Sequence, residues 1–176
     1  MEYLRRIIWF VANRLLLVCL ILGLLMTAFY YAMNLSNIQI ILKDGMANRA
    51  KVIMGVSSDA EDLNRYFQQT CLESDVVLGA ALKGNSPYAD YNVRGIDHRL
   101  NMSFFWLWPW DNTVRVTIEE KIPRIDGRVK GLKADEVIAQ QGDSAIYPPA
   151  WPDGRYRVLL VRESGQWKIR NLTAVQ

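Results

Sequence analysis

Hydrophobic and polar positions divide the chain into three regimes. From Leu15 to Met33 no side chain is charged, and only Gly23 and Thr27 fall outside the hydrophobic set. At roughly 1.5 Å per residue such a helix spans about 28 Å, close to a hydrocarbon core of about 30 Å. Residues 15–33 therefore predict a transmembrane helix, with 1–14 as a tail on one side. Arg14 can extend its charge to one interface, and Tyr30 and Tyr31 suit the other. The run is longer than the apolar region of a cleaved leader, and no A-x-A-like site follows, so an uncleaved signal anchor is expected.

Helical spacing continues over 37–55, where Ile38, Ile41, Leu42, Met46, Ala50 and Ile53 share one stripe. Residues 34–56 thus predict a juxtamembrane helix, either a stalk or the first helix of the domain that follows, with Gly45 a possible kink. Its stripe fits docking onto that domain or a dimer seam. Ser58-Asp-Ala-Glu61 has the S-x-x-E form of a capping box. It opens a helix carrying Leu63, Tyr66, Phe67, Thr70 and Cys71 on one face.

At Ile96 the period changes to two. His98, Leu100, Met102, Phe104, Trp106 and Trp108 hold the even positions, with Asp97, Arg99, Asn101 and Ser103 between them. After Pro109–Asn112, Val114, Val116, Ile118 and Ile122 alternate with Arg115, Thr117, Glu119 and Lys121. Two long strands joined by a short turn predict an antiparallel hairpin with one apolar face. Residues 130–154 are mixed: a short helix or strand near 134–139, then a loop rich in proline. Tyr156–Arg162 and Trp167–Leu172, joined through Glu163-Ser-Gly-Gln166, predict a second hairpin. The fold class is α+β, with the domain proper over 57–176.

Composition sharpens this division. Hydrophobic residues make up 51% of the chain, but 26 of them crowd into residues 1–33. The net charge of +3 is likewise mostly the anchor's. Setting aside Arg5, Arg6, Arg14 and Glu2 leaves 18 basic against 17 acidic side chains. That balance excludes a strongly basic nucleic-acid binder, and the basic side chains of the last hairpin read as a solvated face. Three arginines before the span, against a first following lysine at Lys43, predict a cytoplasmic N-terminus and an extracytoplasmic domain in the cell membrane. Cys19 lies in lipid, so Cys71 has no intrachain partner and reads as a small core residue. Asn34, Asn101 and Asn171 match the glycosylation sequon, a pattern common by chance.

Helices first, then long antiparallel strands ending in a hairpin of the form RYRVLLVRESGQWKIRNL, resemble the NTF2-like (cystatin-like) superfamily over roughly residues 57–176. That resemblance implies helices packed into the concave face of a bent sheet. The 130–154 segment departs from the family's uninterrupted strands and leaves the strand count open. One N-terminal span carrying such a domain is similar in layout to the VirB8-type assembly subunits of bacterial secretion and conjugation machines. Other envelope and sporulation proteins share that layout.

No catalytic motif, phosphate-binding glycine loop or metal-ligand spacing occurs in the sequence, and nothing calls for a cofactor. One constellation could carry chemistry. If the hairpin turn centres on Trp110, Leu100 faces Glu120 and His98 faces Ile122. His98 and Glu120 are then diagonal neighbours, the only ionisable side chains on the apolar face between Ile96 and Ile122. They fit acid–base work in a concave pocket or a purely structural pair. The same alternation aims Phe105, Leu107 and Trp110 outward, as a patch for a protein partner or lipid headgroups unless Trp151 or a strand covers it. Two functions follow: a membrane-anchored structural or interaction subunit with protein partners or self-association, or a ligand-binding or enzymatic pocket around His98 and Glu120.

Overall fold

A computed structural model describes residues 2–57 and 60–175 of the chain. The first element, α1 (Glu2–Ile53), is one uninterrupted helix of 52 residues. Its surroundings change abruptly along its length. Through Met33 it is almost wholly exposed, and among the described residues it is the one helix long and apolar enough to cross a membrane. Within that stretch the Thr27 hydroxyl is satisfied internally, donating to the Gly23 carbonyl at 2.9 Å.

From Asn34 onward the same helix becomes core. Ile38, Leu42, Met46 and Ala50 are fully buried and Ile53 nearly so, against the sheet and the short helices. Of the two arrangements open to residues 34–56, the helix docks on its own domain. Gly45 does not interrupt α1, which is helical on both sides of it. A Cβ there would lie 3.0 Å from Tyr66 Cβ and 3.4 Å from Ile169 Cδ1. The glycine lets the helix approach what it packs on.

Next come a 3₁₀ turn (Glu61–Arg65), α2 (Gln69–Ser74) and α3 (Val76–Leu82). The single helix expected over 58–71 is thus broken in two. Ser58 and Asp59 of the expected capping box lie outside the described residues. The break occurs at Phe67, which forms a parallel bridge with Ile169. The Ile169 amide donates to the Tyr66 carbonyl and the Gln68 amide to the Ile169 carbonyl, both at 2.8 Å. Pairing with the sheet outcompetes helix continuation, and it buries Phe67 beside Leu63.

Four strands follow: β1 (Tyr91–Met102), β2 (Thr113–Val129), β3 (Gly154–Glu163) and β4 (Gln166–Ala174). They form an antiparallel meander in chain order. The β3–β4 hairpin closes through Ser164 (φ 49°) and Gly165 (φ 83°). Two successive positive φ angles give the turn the twist that suits a two-residue hairpin. Between β2 and β3 lies α4 (Ala134–Gln141), so the mixed segment is helical rather than stranded there. Trp151, in the loop that follows, stacks on Tyr88 at 6.2 Å.

Two register shifts explain why the alternation loses its clean form outside the predicted strands. On β2, Lys121 faces Arg99 and Arg124 faces Asp97, so Ile122 and Pro123 together oppose His98. Proline lacks a ladder donor and is at home in such a bulge. Beyond it the inward positions change parity: Ile118, Glu120 and Ile122 are buried before, Gly127 after. On β1 a shift at Arg94 makes the same change, which brings Val93 inward. Bulges also bend the strands that carry them.

Candidate functional site

Glu120 lies in the middle of the sheet, facing Leu100 on β1 and Gly154 on β3. The alternation that buries Ile118 and Ile122 buries Glu120 completely. His98 reaches it diagonally from the bulge, with Nε2 3.0 Å from Oε1 and its own side chain 5% exposed. The remaining polar atoms, His98 Nδ1 and Glu120 Oε2, are buried without a hydrogen-bond partner among the described residues.

The pair belongs to a larger polar cluster. Arg49, on the buried face of α1, donates to both oxygens of Asp75, at 2.5 Å from Nε and 3.1 Å from Nη2. Asp75 Oδ1 also accepts the Leu78 amide at 3.1 Å and so caps α3. Burial pushes the Asp75 carboxyl up, but the hydrogen bond and charge of Arg49 and the capping amides outweigh it and hold Asp75 below the usual carboxylate range. Burial opposes the charge on Arg49, yet Asp75, with Glu120 beyond it, raises the guanidinium above its ordinary value. Tyr156, folded back over Gly154, is raised by burial and then by the Glu120 charge. Burial, with the charge of Asp75, pushes the Cys71 thiol up to about 11. That makes Cys71 a protonated core residue rather than a nucleophile.

Alternation brings His98 and Glu120 to light, but Arg49, Asp75 and Tyr156 escaped it. Two signals pointed to them. Arg49 falls on the apolar stripe of α1, seven residues after Leu42. Asp75 immediately precedes the apolar run Val76-Val-Leu, the position of an N-cap. The hydrogen bonds do two things: His98–Glu120 joins β1 to β2 inside the sheet, and Arg49–Asp75 cross-links α1 to the start of α3. Among the described residues, no three His, Cys, Asp or Glu side chains come together to hold a metal.

The aromatic segment differs from expectation. β1 ends at Met102, and the Ser103 amide donating to Thr117 is the last rung toward β2. Beyond it the backbone leaves the sheet, so strand parity no longer governs which way side chains point. Leu107, expected outward, is core at 1% exposure, and Phe105 is half-buried against that core. Only Trp110 of that trio is exposed. The even-numbered rings expected inside are outside: Phe104 is 86% exposed, with Trp106 and Trp108 also on the surface. Trp151 does not cover them; it is spent on Tyr88.

The exposed rings form a chain. Tyr31 of α1 lies 5.2 Å from Trp106, Trp106 5.5 Å from Trp108, and Trp108 stacks on Trp110 at 5.2 Å. A tight turn holds the tip: the Trp108 amide donates to Asp111 Oδ2 at 2.8 Å, and the Asp111 amide to the Trp108 carbonyl at 3.0 Å. Beside it, Arg162 at the end of β3 donates to Tyr30 Oη at 3.3 Å and to Asn34 Oδ1, and its guanidinium lies over Trp167. Asn34 is buried there and also accepts from Trp167 Nε1 at 3.3 Å, which places the first sequon out of reach of modification. Asn101 and Asn171 are exposed. Comparison with protein-family models finds no matching family, and no curated protein or solved structure matches the chain.

Proposed function

We propose that this chain is a single-pass membrane protein whose domain works outside the membrane as a structural or interaction subunit of an envelope assembly. One observation carries the reading: the apolar span and the central core helix are a single helix, exposed through residue 33 and packed into the core by one face from residue 34. A domain built on its own membrane helix is held at a fixed height and rotation above the bilayer. That suits a part that must present surfaces in register with neighbours. Helices preceding a four-stranded antiparallel meander support an NTF2-like architecture, and the layout is similar to that of VirB8-type assembly subunits. The arginines at 5, 6 and 14 support a cytoplasmic N-terminus.

Photo-crosslinking from exposed positions of the domain in intact membranes tests this. Discrete adducts to another protein or to a second copy are expected, and adducts to lipid alone would refute the interaction role. Protease added from outside should digest residues 34–176; protection there would reverse the orientation.

An enzymatic or ligand-binding pocket at His98 and Glu120 is the competing reading, favoured by their two unpartnered atoms. Against it, Glu120 is sealed, and Leu63 and Phe67 belong to the core that fills the inner face of the sheet.

A further inference from the structure

We propose that the Trp106–Trp108–Trp110 ladder lies in the headgroup region of the bilayer that α1 crosses, as a second membrane contact of the domain. The inference rests on the membrane-anchored reading above and adds where the domain sits.

The topology fixes the loop's location. In an antiparallel meander the β1–β2 and β3–β4 connections leave the same end of the sheet, and the β2–β3 connection leaves the other. At the β3–β4 end, Arg162 and Trp167 hold Tyr30 and Asn34, the residues where the apolar run of α1 finishes. The Arg162 amide also donates to the Asn112 carbonyl at 2.8 Å, which ties the end of the aromatic loop to that place. The loop therefore emerges at the level of the bilayer surface. Its ring chain starts on Tyr31, itself on the last turn of the span.

Chemistry favours lipid over water or a protein cover. Indole rings combine a large apolar body with one N–H donor, the combination that concentrates at the headgroup boundary. Phe104 and Trp110, at 86% and 70% exposed, would otherwise stand in water, and contiguous apolar surface of this kind is uncommon there. Arg115 lines a groove with Phe104 and Trp106, which adds a cation where lipid phosphates lie. The one acid of the turn, Asp111, is engaged by the Trp108 amide. Because α1 is continuous and docked, the loop cannot swing away from the surface it faces.

The test uses the full chain in phosphatidylcholine liposomes made with or without brominated acyl chains. Indole fluorescence of the wild type is compared with that of W106F/W108F/W110F, which keeps aromatic packing and removes three emitters. The difference signal belongs to the ladder alone. Brominated lipid should quench most of it and aqueous acrylamide little. A difference signal quenched by acrylamide and untouched by bromine would put the ladder in water. One shielded from both would mean a protein cover. Either result overturns the proposal. Alkaline carbonate extraction separates the two levels. If the chain is stripped from the liposomes, the anchor reading itself fails and this contact falls with it. If the chain resists extraction but the ladder is not quenched by bromine, only the second contact is wrong.

Discussion

Glu120 occupies a position that strand alternation gives to an apolar side chain, between Ile118 and Ile122 on the inner face of β2. Its one hydrogen-bond partner among the described residues is His98. Removing either side chain leaves the other buried and unpaired, which costs about 1–3 kcal/mol. H98A and E120A should each lower the stability of the full chain in detergent by that amount, read from denaturant midpoints. If the pair is structural, H98L/E120M should recover much of the loss, because replacing both partners by apolar groups of similar shape is nearly neutral. Failure of the double variant to recover would point to a role beyond packing. Asp75 behaves differently because its partner is permanently charged. A carboxyl held below its unfolded value of about 3.9 stabilises the fold above that pH, and the contribution is lost as pH falls through the folded value. Asp75→Asn should therefore cost about 3 kcal/mol at pH 7, leaving Arg49 buried without its main counter-charge. The gap between wild type and variant should close in acid below about pH 4. A gap independent of pH would show that the ion pair is not what the substitution removes, since Asn keeps an oxygen able to cap α3.

Elements succeed or fail in this chain by how far one periodicity extends. Val114–Glu120 and most of Tyr156–Leu172 were legible because ladder pairing, broken in the last hairpin only by a shift at Arg170, keeps side chains alternating. The bulges at Arg94 and Ile122–Pro123 were not, since a bulge reverses parity with little change in composition; Pro123 was the one clue. The aromatic run failed in the opposite way. Phe104, Trp106 and Trp108 continue a period of two after the last rung at Ser103, so they imitate a strand that has already ended. His98 and Glu120 were found because the rung from Leu100 to Glu120 lies between these disturbances. Arg49 and Asp75 were missed because their meeting depends on how α1 crosses α3, which no local pattern encodes. The close approach at Gly45 is tertiary in the same sense. Gly45→Val would put branched carbons into Tyr66, Phe67 and Ile169, and overpacking of this kind costs about 1–3 kcal/mol. The variant should unfold at a correspondingly lower denaturant concentration. Unchanged stability would mean that α1 has room to shift on the sheet.

On the scale of the whole molecule, the question is where the folding unit begins. Sequence periodicity set the domain proper at residue 57, yet the core reaches back along α1 to Ile38. Cutting at 57 removes Ile38, Leu42, Met46 and Ile53, each of which contributes about 1.5–3 kcal/mol when fully buried. Together that is roughly 6–12 kcal/mol, comparable with the entire stability of an ordinary domain, about 5–15 kcal/mol. The cut also strips Arg49 from Asp75 and leaves that buried carboxylate alone. Cutting at 34 removes a span that is exposed along nearly its whole length, and costs only the contacts of Tyr30 and Tyr31. Residues 34–176 should therefore unfold cooperatively, with a sharp thermal transition by circular dichroism. Residues 57–176 should show none. A sharp transition in the shorter fragment would make the helix an accessory, on which the domain is free to pivot. Its absence would make core and anchor one mechanical object, so that any rotation of the span about its axis must turn the sheet and the Trp106 loop with it.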